Sequence, residues 1–212
     1  MNVTGLAALS GGLVLLASAA SAATFDFSLG RGGFTGGGDG FWSYDGARWV
    51  TPGAEFETTS TLDSPGLTVQ SDGPVSVTLS HRYNSERPDD FFDGGLFQVE
   101  VNGGGFTTVT PDGGYPVAAS FDDGCDSLGF APCWGGDSGG LVTDTLTIPG
   151  LSAGDVITLR LLHGTDGSVS TQANDWEIAA LSATNAAVPL PATAPLLMLA
   201  LGGVGLALRR RG

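Results

Sequence analysis

The chain has no lysine, and only two histidines, two cysteines and two methionines. Each scarcity closes a class of function. All eight basic residues are arginines, and three of them, Arg209, Arg210 and Arg211, form the C-terminal cluster. The other five share the central region with all 22 acidic residues, a formal charge of −17 there. Nucleic acid and anionic lipid both demand a basic face, so neither is an expected partner. No HExxH pattern surrounds His81 or His163, which leaves a zinc protease without its ligands. GRGGFTGGG (30–38) is rich in glycine but has no lysine and opens no helix, so it is not a phosphate loop.

The central region also lacks any convincing helical period. Its 3.6-residue pattern is replaced by period two. In PVSVTLSHRY, Val75, Val77, Leu79, His81 and Tyr83 share one face, opposite Ser76, Thr78, Ser80 and Arg82. Phe97, Val99 and Val101 oppose Gln98 and Glu100. Val142, Leu146 and Ile148 oppose Thr143, Thr145 and Thr147. Ile157, Leu159 and Leu161 alternate with Thr158 and Arg160, and Trp176 pairs with Ile178. Further strand-like runs are TFDFSL, FWSYDGARWV, EFETTS and LTVQ. Alternation bounded by Gly, Asp and Pro marks half-buried antiparallel strands. Eight or nine of them predict an all-β fold, a two-sheet antiparallel sandwich of jelly-roll type. Function on such a scaffold belongs in loops, here Gly32–Gly40, Asn84–Gly95, Thr110–Gly140 and Gly164–Asn174.

Both ends differ from this middle. Residues 6–20 are small or apolar and uncharged, and Ala20-Ser21-Ala22 offers the small-x-small pattern of a signal-peptidase site. The reading is a signal peptide over 1–22, cut near Ala22 or Ala23. At the other end Val188-Pro189-Leu190-Pro191-Ala192 precedes an apolar run to Leu208 and the three arginines. As a helix, that run spans roughly 25 Å, short for a lasting membrane anchor. These residues closely resemble the PEP-CTERM-like sorting signals of Gram-negative bacteria, of the VPLPA type. The resemblance implies recognition by an exosortase-type membrane enzyme, passage through the inner membrane, and delivery to the cell surface or extracellular matrix. Expected domains are therefore the signal peptide 1–22, one sandwich over 24–187, and a sorting signal with a transmembrane helix over 188–212. A plain tail anchor is the competing reading of the last segment.

Cys125 and Cys133 stand in an exported region, where thiols meet an oxidising compartment. The spacing predicts a disulfide closing a small surface loop, worth about 2 kcal/mol. Neither cysteine belongs to a CxxC pair, which argues against zinc.

Several motifs of the middle, in order, resemble the MAM-like, lectin-like jelly-roll module that accompanies immune-inhibitor-A-type metalloproteases. They are His81-Arg82-Tyr83, Phe92-Asp93-Gly94-Gly95, Val99-Glu100-Val101, Asn102-Gly103-Gly104, Trp134 to Gly140, Gly164 to Val169, and Asp175-Trp176-Glu177-Ile178. A Gly-Gly turn before the Val99-Glu100-Val101 strand is part of that pattern. The resemblance implies a secreted recognition module. Its paired aspartates in the last strand are Ala179 and Ala180 here, which weakens the calcium site of that architecture. Asp93, Asp166 and Asp175 remain as oxygen donors for Ca²⁺, with Asp122, Asp123 and Asp126 nearby in sequence, because calcium gathers six to eight oxygens from several loops.

GDSGG (136–140) has the form of a serine-protease nucleophile loop, yet a nucleophilic serine needs a base and a third group orienting it. No Ala-Ala-His-Cys setting and no zymogen cleavage site exists, and His81 lies on the apolar face of its strand. Glycines that supply positive φ, with Asp and Ser bonded to nearby backbone, explain the motif as a turn. His163 ends its strand and is freer, with no motif around it. Trp42, Trp49, Trp134 and Trp176 could stack on sugars if exposed. Trp134, in a loop rich in glycine, is the best exposed of them, and Trp176 is core. The expectation is a non-enzymatic module for adhesion or carbohydrate binding, with extracellular polysaccharide as partner. The alternatives are a purely structural matrix protein and a glycoside hydrolase, which would need two facing carboxylates.

Overall fold

The computed structural model describes residues 22–39, 41–85, 92–118, 125–167 and 174–189. In chain order the strands are β1 (Ala23–Asp26), β2 (Thr35–Gly38), β3 (Ser43–Tyr44), β4 (Trp49–Thr51), β5 (Glu57–Asp63), β6 (Leu67–Val69) and β7 (Gly73–Tyr83). Then come β8 (Gly94–Val101), β9 (Phe106–Thr108), β10 (Val142–Leu151), β11 (Val156–Asp166), β12 (Trp176–Ala183) and β13 (Ala186–Ala187). Two 3-10 turns, Phe27–Leu29 and Asp126–Leu128, are the only helical elements among the described residues. No described helix is long and apolar enough to cross a membrane. The predicted signal segment, apart from Ala22, and the C-terminal apolar helix lie outside the described residues.

The strands form two antiparallel sheets. One runs β10-β7-β12-β4-β3, with β1 continuing the β4 edge of β12. The other centres on β11, flanked by β8 and β9 on one side and by β5 and β6 on the other, with β2 and β13 outermost. The alternation legible in the sequence becomes the inner faces of these sheets. Val75, Val77 and Leu79 of β7, Leu146 and Ile148 of β10, and Ile157, Leu159 and Leu161 of β11 are all buried in one core. Each fully buried aliphatic contributes about 1.5–3 kcal/mol. FWSYDGARWV is not one strand but the hairpin of β3 and β4. Asp45 makes the turn, its Oδ1 accepting from the N–H groups of Ala47 and Arg48 at 2.8 and 2.7 Å.

Two glycines read as a turn are strand residues instead. Gly94 and Gly95 open β8, and neither has a positive φ. A Cβ at Gly94 would collide with Cys125 Sγ, and one at Gly95 with the six-membered ring of Trp176. Here glycine is required for close approach, not for turning.

Candidate functional site

The two sheets part at the edges carried by β2 and β3. A cleft of about 540 Å³ opens there, lined by Arg31, Phe34, Thr35, Gly36, Trp42, Ser43, Tyr44 and Trp49. Its walls follow from local chemistry. Phe34 is packed edge-on against Phe25 and Phe27, which fixes the loop carrying Arg31. The Tyr44 hydroxyl lies 2.6 Å from the Phe27 carbonyl and 3.0 Å from that of Gly46, donating to either. Trp49 Nε1–H donates to the Arg31 carbonyl at 3.2 Å. The Arg31 guanidinium sits 5.6 Å from the Tyr44 ring centre and 6.0 Å from that of Trp49, within cation–π range. Trp42 and Trp49 expose little, whereas Tyr44 is half-buried and Arg31, Thr35 and Ser43 are exposed. Among the described residues no carboxylate lines the cleft.

Arg31 also differs from the other described arginines. Arg48 and Arg82 both reach Glu177, and Arg160 pairs with Asp63 through two hydrogen bonds of 2.7 and 2.8 Å. Arg31 has no carboxylate partner among the described residues.

Trp134, expected at the surface, is buried with 1 % of its area exposed. Its ring packs edge-on against His81 and Tyr115, with centroids 4.7 and 4.9 Å away, and against Trp176 at 5.6 Å. It cannot stack on a sugar. The glycines that follow Trp134 mislead because Gly135 has its own steric role: a Cβ there would press on Val117 and on the Asp93 carbonyl. His81 is buried as its place on the apolar face predicts. Trp176 Nε1–H donates to His81 Nδ1 at 2.8 Å, so the ring carries its proton on Nε2 and donates it to Asp144 Oδ2, also at 2.8 Å. That bond, with a further one from Trp134, holds the Asp144 carboxyl below the usual carboxylate range despite burial.

Ser138 is no nucleophile in this arrangement. Its Oγ accepts from the Tyr83 N–H at 3.1 Å and donates to the carbonyl of Gly140 or Tyr83, at 2.8 or 3.0 Å. No imidazole is bonded to it. Asp137 Oδ1 accepts from the Gly139 N–H at 2.7 Å, and Gly136, Gly139 and Gly140 have positive φ. The motif is a backbone-bonded turn that fastens the end of β7.

Cys125 and Cys133 are disulfide-bonded and form a small satellite core with Val117 and Leu128. The bond is buried, not a clasp on a surface loop. The three aspartates expected to gather a cation do not converge. Asp93 Oδ1 accepts from the Asp166 backbone N–H at 2.9 Å. The Asp166 side chain instead lines an acidic recess of about 240 Å³ with Glu57, Asp126 and Ser127. Asp175 is buried and faces His163, and His163 is itself buried in β11 instead of free at a strand end. Among the described residues no three His, Cys, Asp or Glu side chains are placed to hold a metal ion together. Asp122 and Asp123 lie outside the described residues.

The chain carries a PEP-CTERM protein-sorting motif over residues 187–211. Such a motif marks export and processing by an exosortase-type system, with the cell surface or extracellular space as destination. Ala187, Val188 and Pro189 are its described residues. Leu190, Pro191, Ala192 and Arg209–Arg211 complete the predicted signal. No curated protein matches the chain. Among solved structures the chain is similar to the carbohydrate recognition domain of Emp46p in its metal-free form. Identity is 14%, the match covers 76% of this chain and 91% of that one, and the TM-score is 0.46. It is also similar to the C-terminal CBM6 of LamC from Zobellia galactanivorans (16% identity, 71% and 98% covered, TM-score 0.30). A third is the CBM35 of Abf62 from Cellvibrio japonicus (16%, 72% and 87%, 0.33). At these identities and scores no ligand or site carries over to this chain.

Proposed function

We propose that this is an exported surface or matrix protein whose sandwich, over residues 24–187, binds polysaccharide without cleaving it and so serves adhesion. The observation that carries the reading is the cleft between the β2 and β3 edges. It joins the aromatic walls of Trp42, Tyr44 and Trp49 to the Arg31 guanidinium and to the exposed Thr35 and Ser43 hydroxyls. Sugar rings are bound by just this pairing of ring faces with hydrogen-bond donors, and the cleft lies within the usual size of small-ligand sites. The sorting motif supports the location, since its destination is where extracellular polysaccharide is found. Hydrolysis needs two facing carboxyls, and the described residues of the lining include none. After the signal peptide is removed and the tail is processed by the exosortase, the sandwich is the part that meets the matrix.

Retention on extracellular polysaccharide tests the reading. The full-length protein is expected to be held back in affinity electrophoresis, and Tyr44→Ala and Arg31→Ala to run at least tenfold more freely, with the exposed Arg31→Ala keeping the wild-type melting temperature. Equal migration of wild type with and without polysaccharide would favour a purely structural matrix role.

A further inference from the structure

Among the described residues Arg48 and Arg82 hold Glu177, and Arg160 holds Asp63. Arg31 is fixed through its backbone, whose carbonyl accepts from Trp49 Nε1–H and from the Phe34 N–H, each at 3.2 Å. Its guanidinium takes part in no ion pair or hydrogen bond among those residues. The setting makes this notable, because the central region has a formal charge of −17. The acids nearest in sequence are committed to backbone donors. Asp26 Oδ1 accepts from the Ser28 N–H at 3.0 Å, Asp39 Oδ2 from the Thr59 N–H at 2.9 Å, and Asp45 Oδ1 from the Arg48 N–H at 2.7 Å. The Arg31 guanidinium lies instead near the rings of Tyr44 and Trp49, at 5.6 and 6.0 Å from their centres. Contact with ring faces steadies a guanidinium and leaves its in-plane N–H groups free to grip an anion with two parallel bonds.

Resting on the reading of this cleft as a polysaccharide site, we infer that it selects an acidic sugar unit, a uronate or a sulfated sugar, that stands alone among neutral ones. The anionic group meets the Arg31 fork, and the sugar meets the half-buried Tyr44 ring and the exposed Thr35 and Ser43 hydroxyls. A neutral sugar would leave the guanidinium donors to water. The requirement for isolation follows from the charge around the cleft. A domain of charge −17 repels a run of anions. At physiological salt the Debye length is about 8 Å, so that repulsion reaches the units on either side of the one that is bound. One guanidinium therefore sets the preference at short range, and the surrounding carboxylates reject a polyanion at longer range.

Isothermal titration calorimetry of the full-length protein tests this. The ligands are a hexose trisaccharide carrying a single glucuronate, its counterpart carrying a single sulfate ester, the carboxyl-reduced neutral form, and a glucuronate trimer. The better of the singly charged ligands is expected to bind at least about tenfold more tightly than the neutral form, the factor that charge-assisted hydrogen bonds supply, and it names the anionic group. The trimer is expected to bind more weakly than that ligand at about 0.15 M salt and to close the gap at about 1 M, where the Debye length falls to about 3 Å. Arg31→Gln is expected to bind charged and neutral trisaccharides alike, at the wild-type melting temperature. Wild type that binds charged and neutral trisaccharides equally overturns the proposal and leaves polysaccharide binding in place. A preference that survives in Arg31→Gln, or a trimer bound as tightly as the singly charged ligand at the lower salt, also overturns it. Binding of no ligand overturns the reading of the cleft together with the proposal.

Discussion

Two histidine–aspartate pairs flank Trp176, and they differ in every respect that matters. His81 lies between Trp176 and Asp144 with both ring nitrogens bonded at 2.8 Å, and Asp144 reaches solvent at the β10 edge. His163 and Asp175 lie wholly inside, 3.6 Å apart and unbonded. The first pair is complete in itself: it fixes a tautomer, orients two indoles and closes one edge of the core. The second is a buried ion-pair contact in which no hydrogen bond is made. Sequence context does not separate them, since each histidine sits in an alternating strand. What separates them is the neighbour across the core, an indole N–H for His81 and an unmet carboxylate for His163.

The comparison can be broken most severely at Gly95, whose missing Cβ lets Trp176 lie between the pairs. Gly95→Ala drives a methyl into that ring and should cost about 3 kcal/mol in urea unfolding, disturbing both pairs together. His81→Leu should cost about 2–3 kcal/mol, because it strands the Trp176 N–H and removes the donor from Asp144. Asp144→Asn has a smaller effect with a pH signature. The carboxyl is held below its unfolded value, so its contribution is full above the ordinary carboxylate range and fades as pH falls through the folded value. The stability gap between wild type and variant, measured by urea titration, should therefore close as pH drops below about 4. Ser138→Ala, outside both pairs at the end of β7, should cost only about 0.5–1 kcal/mol and change no hydrolytic activity, as peptide-substrate assays would register.

How much of this was legible in the sequence depends on the range of the interaction. Period-two alternation in β7, β10 and β11 reports a local property, the burial of one strand face, and those faces form the core as expected. The GDSGG turn was also local, and its glycines do supply positive φ. Gly94, Gly95 and Trp134 were misjudged because their roles are set by partners far along the chain. A glycine that avoids a distant ring looks identical in sequence to a glycine that turns. The same holds for the cleft. Arg31 stands in a glycine-rich stretch and Tyr44 in a strand-like run, and only the splaying of β2 from β3 brings them together. The density of Trp42, Tyr44 and Trp49 within eight positions is the hint the sequence carries, and it is the reason Trp42 and Trp49 stand among the sugar-stacking candidates.

The most direct measurement is a two-dimensional NMR titration of the protein with oligosaccharides from the extracellular polysaccharide of its host. The account predicts that the shifted resonances cluster at residues 31–49, including the indole N–H groups of Trp42 and Trp49, while those of the sheet faces stay in place. Shifts confined to other surfaces, or no shifts at saturating oligosaccharide, would contradict it.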